Sequence, residues 1–151
     1  MTAEELLQRY AAGERDFIGV DLSDEDLSLT DLSGINLSGA ILNQTILEGA
    51  NLIGADLSNS YLFQAGLDGA NLLGANLSGA NIAEAGLRNV TLDNANLSFA
   101  NLHGTCLRAS SMNGTKLDST LFCDTILPDG SFRNNGCDYV DLWQRGSFRF
   151  N

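Results

Sequence analysis

The sequence predicts an all-β solenoid closed at its start by a short α-helix. Three observations lead there: a large apolar residue at every fifth position, a small residue two places before each, and a recurrent glycine two places after. Counting by five from Phe17 to Phe132 meets 24 centres, nineteen of them Leu and the others Phe17, Ile82, Met112, Phe122 and Phe132. None is polar. On an α-helix a step of five rotates the side chain through about 140°, and on a straight strand an odd step alternates faces, so neither element gathers these centres on one side. They share an interior only if the chain bends once per repeat and coils upon itself.

The flanking columns agree. Of the 23 positions two before each centre, from Val20 to Gly130, ten are Ala, six Thr, two Ser, two Val and one Gly, with Glu25 and Ile35 the departures. A small residue there shares the interior with a large one. Two places after the centre, Gly34, Gly54, Gly79 and seven further glycines fit a type II turn, whose third residue has positive φ. Elsewhere that column holds Leu29, Gln44, Gln64, Glu84 or Phe99, so some corners are expected to turn without positive φ.

Ahead of the first centre, Thr2 followed by Glu5 reads as a capping box, and Gly13 as the residue just past a helix end. Residues 3 to 12 are therefore expected to be helical, with Leu6, Leu7, Tyr10 and Ala11 laid over the first coil. After Leu127 the rhythm breaks at Pro128-Asp129-Gly130, which reads as a turn. The boundaries expected are a capping helix over 1–14, a coiled body over 15–134 and a tail over 135–151. Tyr139, Trp143, Phe148 and Phe150 of that tail would either cover the last coil or join two copies of the chain as a homodimer.

Units such as Ala50-Asn-Leu-Ile-Gly, Ala70-Asn-Leu-Leu-Gly, Ala75-Asn-Leu-Ser-Gly and Ala95-Asn-Leu-Ser-Phe resemble the A(N/D)LXX repeats of the pentapeptide repeat family. The opening segment from Glu5 to Phe17 is similar to the helical start of cyanobacterial members. The resemblance implies a right-handed quadrilateral β-helix with four repeats, or twenty residues, per coil. Twenty-four repeats then give about six coils, and at about 4.8 Å per coil a rod roughly 29 Å long.

Charge and chemistry narrow the function. With 19 acidic and 8 basic residues the formal net charge is −11, which disfavours direct binding to nucleic-acid phosphates. No stretch is apolar for the eighteen or so residues of a membrane span, and no basic stretch followed by an apolar run opens the sequence. A cytoplasmic protein is expected, with Cys106, Cys123 and Cys137 reduced and structural. Stacking by twenty brings His103, Cys106 and Cys123 to one corner, read as a chance meeting rather than a metal site. No glycine-rich phosphate loop and no nucleophile paired with a base is found, so neither enzyme chemistry nor a cofactor is expected.

Some members of the family protect DNA gyrase by mimicking duplex DNA, which makes a type II topoisomerase an alternative partner. Residues 16–31 carry six acids and no base, but residues 32–115 carry five acids and two bases, a net of −3. Over about four coils, or roughly 20 Å, B-DNA would present about twelve phosphates, so the rod is too neutral to imitate it. Asp16, Asp21, Asp26 and Asp31 each precede a centre, in a column often held by Asn further along, where a short polar side chain accepts from nearby backbone N–H groups. The reading preferred is a non-catalytic interaction or scaffold module for an unidentified protein, acting as monomer or homodimer. Its expected contact surface is the apolar group Ile41, Tyr61, Phe63 and Ile46 on an otherwise polar rod.

Overall fold

The computed structural model describes residues 1–135 and Cys137. Helix α1 spans Ala3–Ala11, and the Thr2 side chain accepts the Glu5 N–H at its start. Gly13, at φ +100°, ends it. Leu6 is fully buried, Leu7 and Tyr10 pack against the core from the side, and Ala11 faces solvent instead of covering the coil.

Beyond α1 the chain winds as the repeat requires. Parallel bridges join Asp16 to Asn36, Asn36 to Asp56, Asp56 to Asn76 and Asn76 to Asn96, each a step of twenty residues. Between bridges a β-turn closes every repeat, as where the Ala40 N–H donates to the Leu37 carbonyl at 3.0 Å and the Thr45 N–H to that of Leu42 at 3.2 Å. A corner every five residues and a return every twenty make a four-sided coil. Its strands touch only the chain one coil before and after, so backbone donors are satisfied along the rod axis: Leu37 N–H meets the Asp56 carbonyl at 2.7 Å and Asn36 N–H that of Arg15 at 2.8 Å.

The interior is the column of centres. Every one from Phe17 to Leu107 is buried, with the alanines of the small column beside them. The hydroxyls in that column do not remain unpaired. Thr45 Oγ1 donates to the Leu22 carbonyl of the previous coil at 2.8 Å, and Ser60 Oγ to that of Leu57 in its own turn at 2.6 Å. The two departures also have places. Ile35 is fully buried, whereas Glu25 reaches toward α1 and accepts the Ala3 N–H at 2.8 Å, satisfying a donor at the helix start.

The structure corrects the expectation of two kinds of corner. Every corner residue from Gly19 to Asp124 has positive φ, including Leu29 at 57°, Gln44 at 58°, Glu84 at 57° and Phe99 at 62°. Each non-glycine corner carries a local cost of about 1–2 kcal/mol, which the regular ladder on both sides outweighs. A single uneven corner would break the register of the coils above and below it.

The far end also differs from the expected six coils. The parallel bridges stop at Cys106–Ile126, about five and a half coils after Asp16. Strand β1, Phe122–Ile126, then turns through Leu127–Gly130 and pairs antiparallel with β2, Phe132–Asn135. The turn at Pro128-Asp129-Gly130 is where the sequence put it, but it reverses the chain instead of opening another coil. Phe132 keeps the rhythm of five yet lies 62% exposed on the hairpin, and the core tapers through Leu117, 36% exposed. The aromatic tail expected to cap or dimerise lies outside the described residues.

Cys123 and Cys137 form a disulfide, which corrects the expectation of three reduced thiols. The repeat gives Cys137 no position, since it lies past the last coil. Only the hairpin, by folding β2 back along β1, brings it to Cys123.

Candidate functional site

The outward surface is governed by an i to i+2 hydrogen bond. From Asp21 onward, where Asp or Asn precedes a centre its Oδ1 accepts the N–H two residues on: Asp21 accepts from Ser23 at 3.0 Å, Asn36 from Ser38 at 3.1 Å, Asn51 from Ile53 at 3.1 Å, Asn101 from His103 at 3.0 Å. The expected backbone-acceptor role is realised for Asp21, Asp26 and Asp31, whereas Asp16 Oδ1 accepts the Asn36 side-chain amide at 3.2 Å. The Ser23 and Ser28 hydroxyls and N–H groups hold Asp21 and Asp26 below the usual carboxylate range, and the Ser33 N–H and hydroxyl do the same for Asp31.

Of the repeats that lack this acceptor, three are supplied from the coil before. Phe63, whose repeat has Tyr61 in the acceptor column, donates its N–H to Asn43 Oδ1 at 3.1 Å. Arg88, with Gly86 there, donates to Asp68 Oδ1 at 3.0 Å, and Asn113, with Ser111 there, to Asp93 Oδ1 at 2.8 Å. Tyr61 thus occupies a position that the fold keeps satisfied without it.

The residues singled out from sequence come together in part. Ile41 and Tyr61 are bridge partners on one face, and Phe63 follows two residues on. Ile46 lies across the next corner, bridged to Asp26 and Gly66. Phe63 and Ile46 are 37% and 39% exposed, while Ile41 and Tyr61 are half-buried. Ile53 and Leu73, a second stacked apolar pair at 37% exposure each, stand on the opposite face and were missed. Reading the column after each centre in steps of twenty would have found them. The four faces differ: that column is mainly Ser on one, Glu48, Asp68, Arg88 and Arg108 on the next but one, and mixed on the two between, with Phe63 and Ala83 on one and Ile53 and Leu73 on the other.

The face that carries Phe63 continues to His103 and Cys123 in the same column. Here the structure alters the expected corner group. His103, Cys123 and Asp124 place one ligand atom each within 4.8 Å of one another, whereas Cys106 lies apart. Arg88 Nε donates to Cys106 Sγ at 3.3 Å. Burial pushes the Cys106 thiol up, but the Arg108 N–H and the Arg88 guanidinium outweigh it and leave the thiol below its ordinary value.

A family model described as pentapeptide repeats matches eight copies, in segments 16–46, 30–69, 55–94 and 75–114. Among solved structures, a pentapeptide repeat protein from Nostoc PCC 7120 is 35% identical, covering 77% of this chain and 95% of its own, with a TM-score of 0.47. HetL, a pentapeptide repeat protein involved in heterocyst differentiation regulation in the same cyanobacterium, is 23% identical over 88% of this chain and 100% of its own, with a TM-score of 0.33. QnrB1, a plasmid-mediated fluoroquinolone resistance protein, is 17% identical over 92% and 91%, with a TM-score of 0.41. No curated protein matches.

Proposed function

The chain belongs to the pentapeptide repeat family, and from that premise we propose that it is a non-catalytic cytoplasmic interaction module. The right hand of the coil, the usual one in the family, belongs to this reading. The contact surface is Ile41, Tyr61, Phe63 and Ile46, and its partner is a protein with a complementary apolar strip. One observation carries it. Three of these side chains occupy the column that in about half of the repeats holds Asn or Asp, and Asn43 supplies the acceptor that Tyr61 cannot. A rod built only for stability would keep Asn at 61, since that residue satisfies its own repeat.

The topoisomerase reading has less support. Three acids of the first coil, Asp21, Asp26 and Asp31, are engaged by their own serines, and the long middle of the rod is close to neutral. The test is a capture experiment with two variants of the full chain. Tyr61→Ser with Phe63→Ser loses the partner while the coil melts as before, and Asp21→Asn with Asp26→Asn and Asp31→Asn retains it. The opposite pattern, or inhibition of gyrase supercoiling at micromolar concentration, would replace this reading with the acidic one.

A further inference from the structure

One corner of the rod gathers four groups able to hold a metal ion. His103 and Cys123 stand on the same face twenty residues apart, tied by the Gly104 N–H donating to the Cys123 carbonyl at 2.9 Å. Asp124 follows at the corner, and Cys137 arrives from beyond β2 to bond Cys123. Nδ1 of His103 is buried and has no hydrogen-bond partner among the described residues. Buried polar atoms are satisfied with few exceptions, so this imidazole lacks a partner in the disulfide state.

We infer that reduction of the Cys123–Cys137 disulfide assembles a zinc site from His103, Cys123, Asp124 and Cys137. The hairpin is then fastened by a disulfide under oxidising conditions and by a metal under reducing ones. In the disulfide both sulfurs are neutral and bonded to each other, which leaves only the imidazole and the carboxylate as donors. A dithiol reductant attacks one sulfur, the S–S bond breaks, the reductant leaves as its own disulfide, and two thiols remain. Zn²⁺ then replaces both thiol protons, which pass to solvent, and binds the two thiolates, the neutral imidazole and the carboxylate.

The geometry fits this change. Tetrahedral zinc holds S and N donors at about 2.3 and 2.0 Å, so its ligands sit roughly 3.5–4 Å apart. Donors already within 4.8 Å need to close by about an ångström, and the sulfurs to separate. Asn134 Oδ1 lies 2.8 Å from Cys137 Sγ and 3.6 Å from Cys123 Sγ, and also accepts the Asp124 N–H at 3.2 Å. It is placed to accept from either thiol once the disulfide opens. Thiolate and imidazole donors select zinc over magnesium or calcium, which take oxygen ligands.

The test uses the full chain, one portion oxidised and one reduced with a phosphine, each titrated with Co²⁺ as a spectroscopic stand-in and then with Zn²⁺. The reduced chain takes up one Co²⁺ with a thiolate-to-cobalt charge-transfer band, which Zn²⁺ abolishes, and the oxidised chain shows no band. Cys123→Ser and Cys137→Ser remove the band and Cys106→Ser preserves it. His103→Gln, which keeps a polar side chain at this position, weakens binding at least about tenfold. Absence of the band in the reduced chain, its presence in the oxidised chain, or its dependence on Cys106 would overturn the site. Partner capture is a separate readout, so failure here leaves the apolar contact face standing.

Discussion

The Asp68 carboxylate accepts the backbone N–H of Arg88, one coil later, at 3.0 Å, doing for that repeat what Gly86 cannot. A side chain at 86 would meet Asp68 Oδ1 at 2.8 Å from its Cβ, so the glycine and the aspartate occupy one space between them. Asp68→Ala leaves the Arg88 N–H without its acceptor and is expected to cost about 1 kcal/mol. Gly86→Asn alone crowds Asp68 and costs a similar amount. The double variant restores the acceptor within its own repeat and recovers most of the loss, a coupling of about 1 kcal/mol that denaturant unfolding of the four proteins measures. Additive losses would show that the two positions do not share the space.

Corner glycines separate backbone strain from crowding. Gly54, at φ +65°, has open space where a Cβ would stand, so Gly54→Ala bears the left-handed conformation alone, about 1 kcal/mol. Gly114, at φ +70°, has Asn94 Oδ1 at 2.5 Å from a Cβ, and Gly114→Ala must also displace that side chain. The expected order of melting temperatures is wild type, Gly54→Ala, Gly114→Ala. Equal losses at both would remove the role of crowding.

The coil was legible because its signal is repeated twenty-odd times and each copy constrains its neighbours. Burial of every centre from Phe17 to Leu107 follows from that period alone, and the acceptor role of Asn or Asp, where one precedes a centre, follows from its place in the repeat and its short polar side chain. The corners at Leu29 and Glu84 were not legible. Local propensity argues against positive φ for these residues, and only the ladders on either side impose it. Phe132 shows the opposite failure, a residue in register with the repeat that the hairpin turns outward. Cys137 shows a third, since a residue beyond the period has no address until the chain reversal at Gly130 is known. On the surface, the Ile41–Tyr61 stack was readable from the step of twenty, but Asp124 joining His103 and Cys123 depends on which way a corner side chain faces.

Acid should weaken the first coil through its aspartates. Ser23, Ser28 and Ser33 depress the folded-state pKa values of Asp21, Asp26 and Asp31. A carboxylate whose folded pKa lies below its unfolded one contributes stability that is complete above the unfolded value and is lost as pH falls toward the folded one. The melting temperature is therefore expected to be flat above about pH 5 and to fall below about pH 4. Asn at all three positions keeps the acceptor without the titration, so the triple variant flattens the acid limb and leaves the neutral melting temperature near wild type. An unchanged acid limb would place the acid sensitivity elsewhere.

Arg88 serves twice, since its backbone is held by Asp68 and its Nε donates to Cys106 Sγ at 3.3 Å. Burial raises the Cys106 thiol, while the Arg108 N–H and the Arg88 guanidinium lower it by more, so the thiolate forms below the ordinary thiol range. In the oxidised chain the other two cysteines are joined, which leaves Cys106 as the group that iodoacetamide can modify. Its alkylation rate, followed by peptide mass against pH, is expected to reach half its plateau at a lower pH than that of an ordinary free thiol. Arg88→Ala removes the donor and the positive charge but leaves the backbone N–H to Asp68, so the midpoint moves up without loss of the fold. Arg108→Ala moves it less, because the Arg108 contribution that counts most comes from a backbone N–H that the substitution keeps. A midpoint unmoved by Arg88→Ala would mean that the Arg108 N–H alone depresses the thiol.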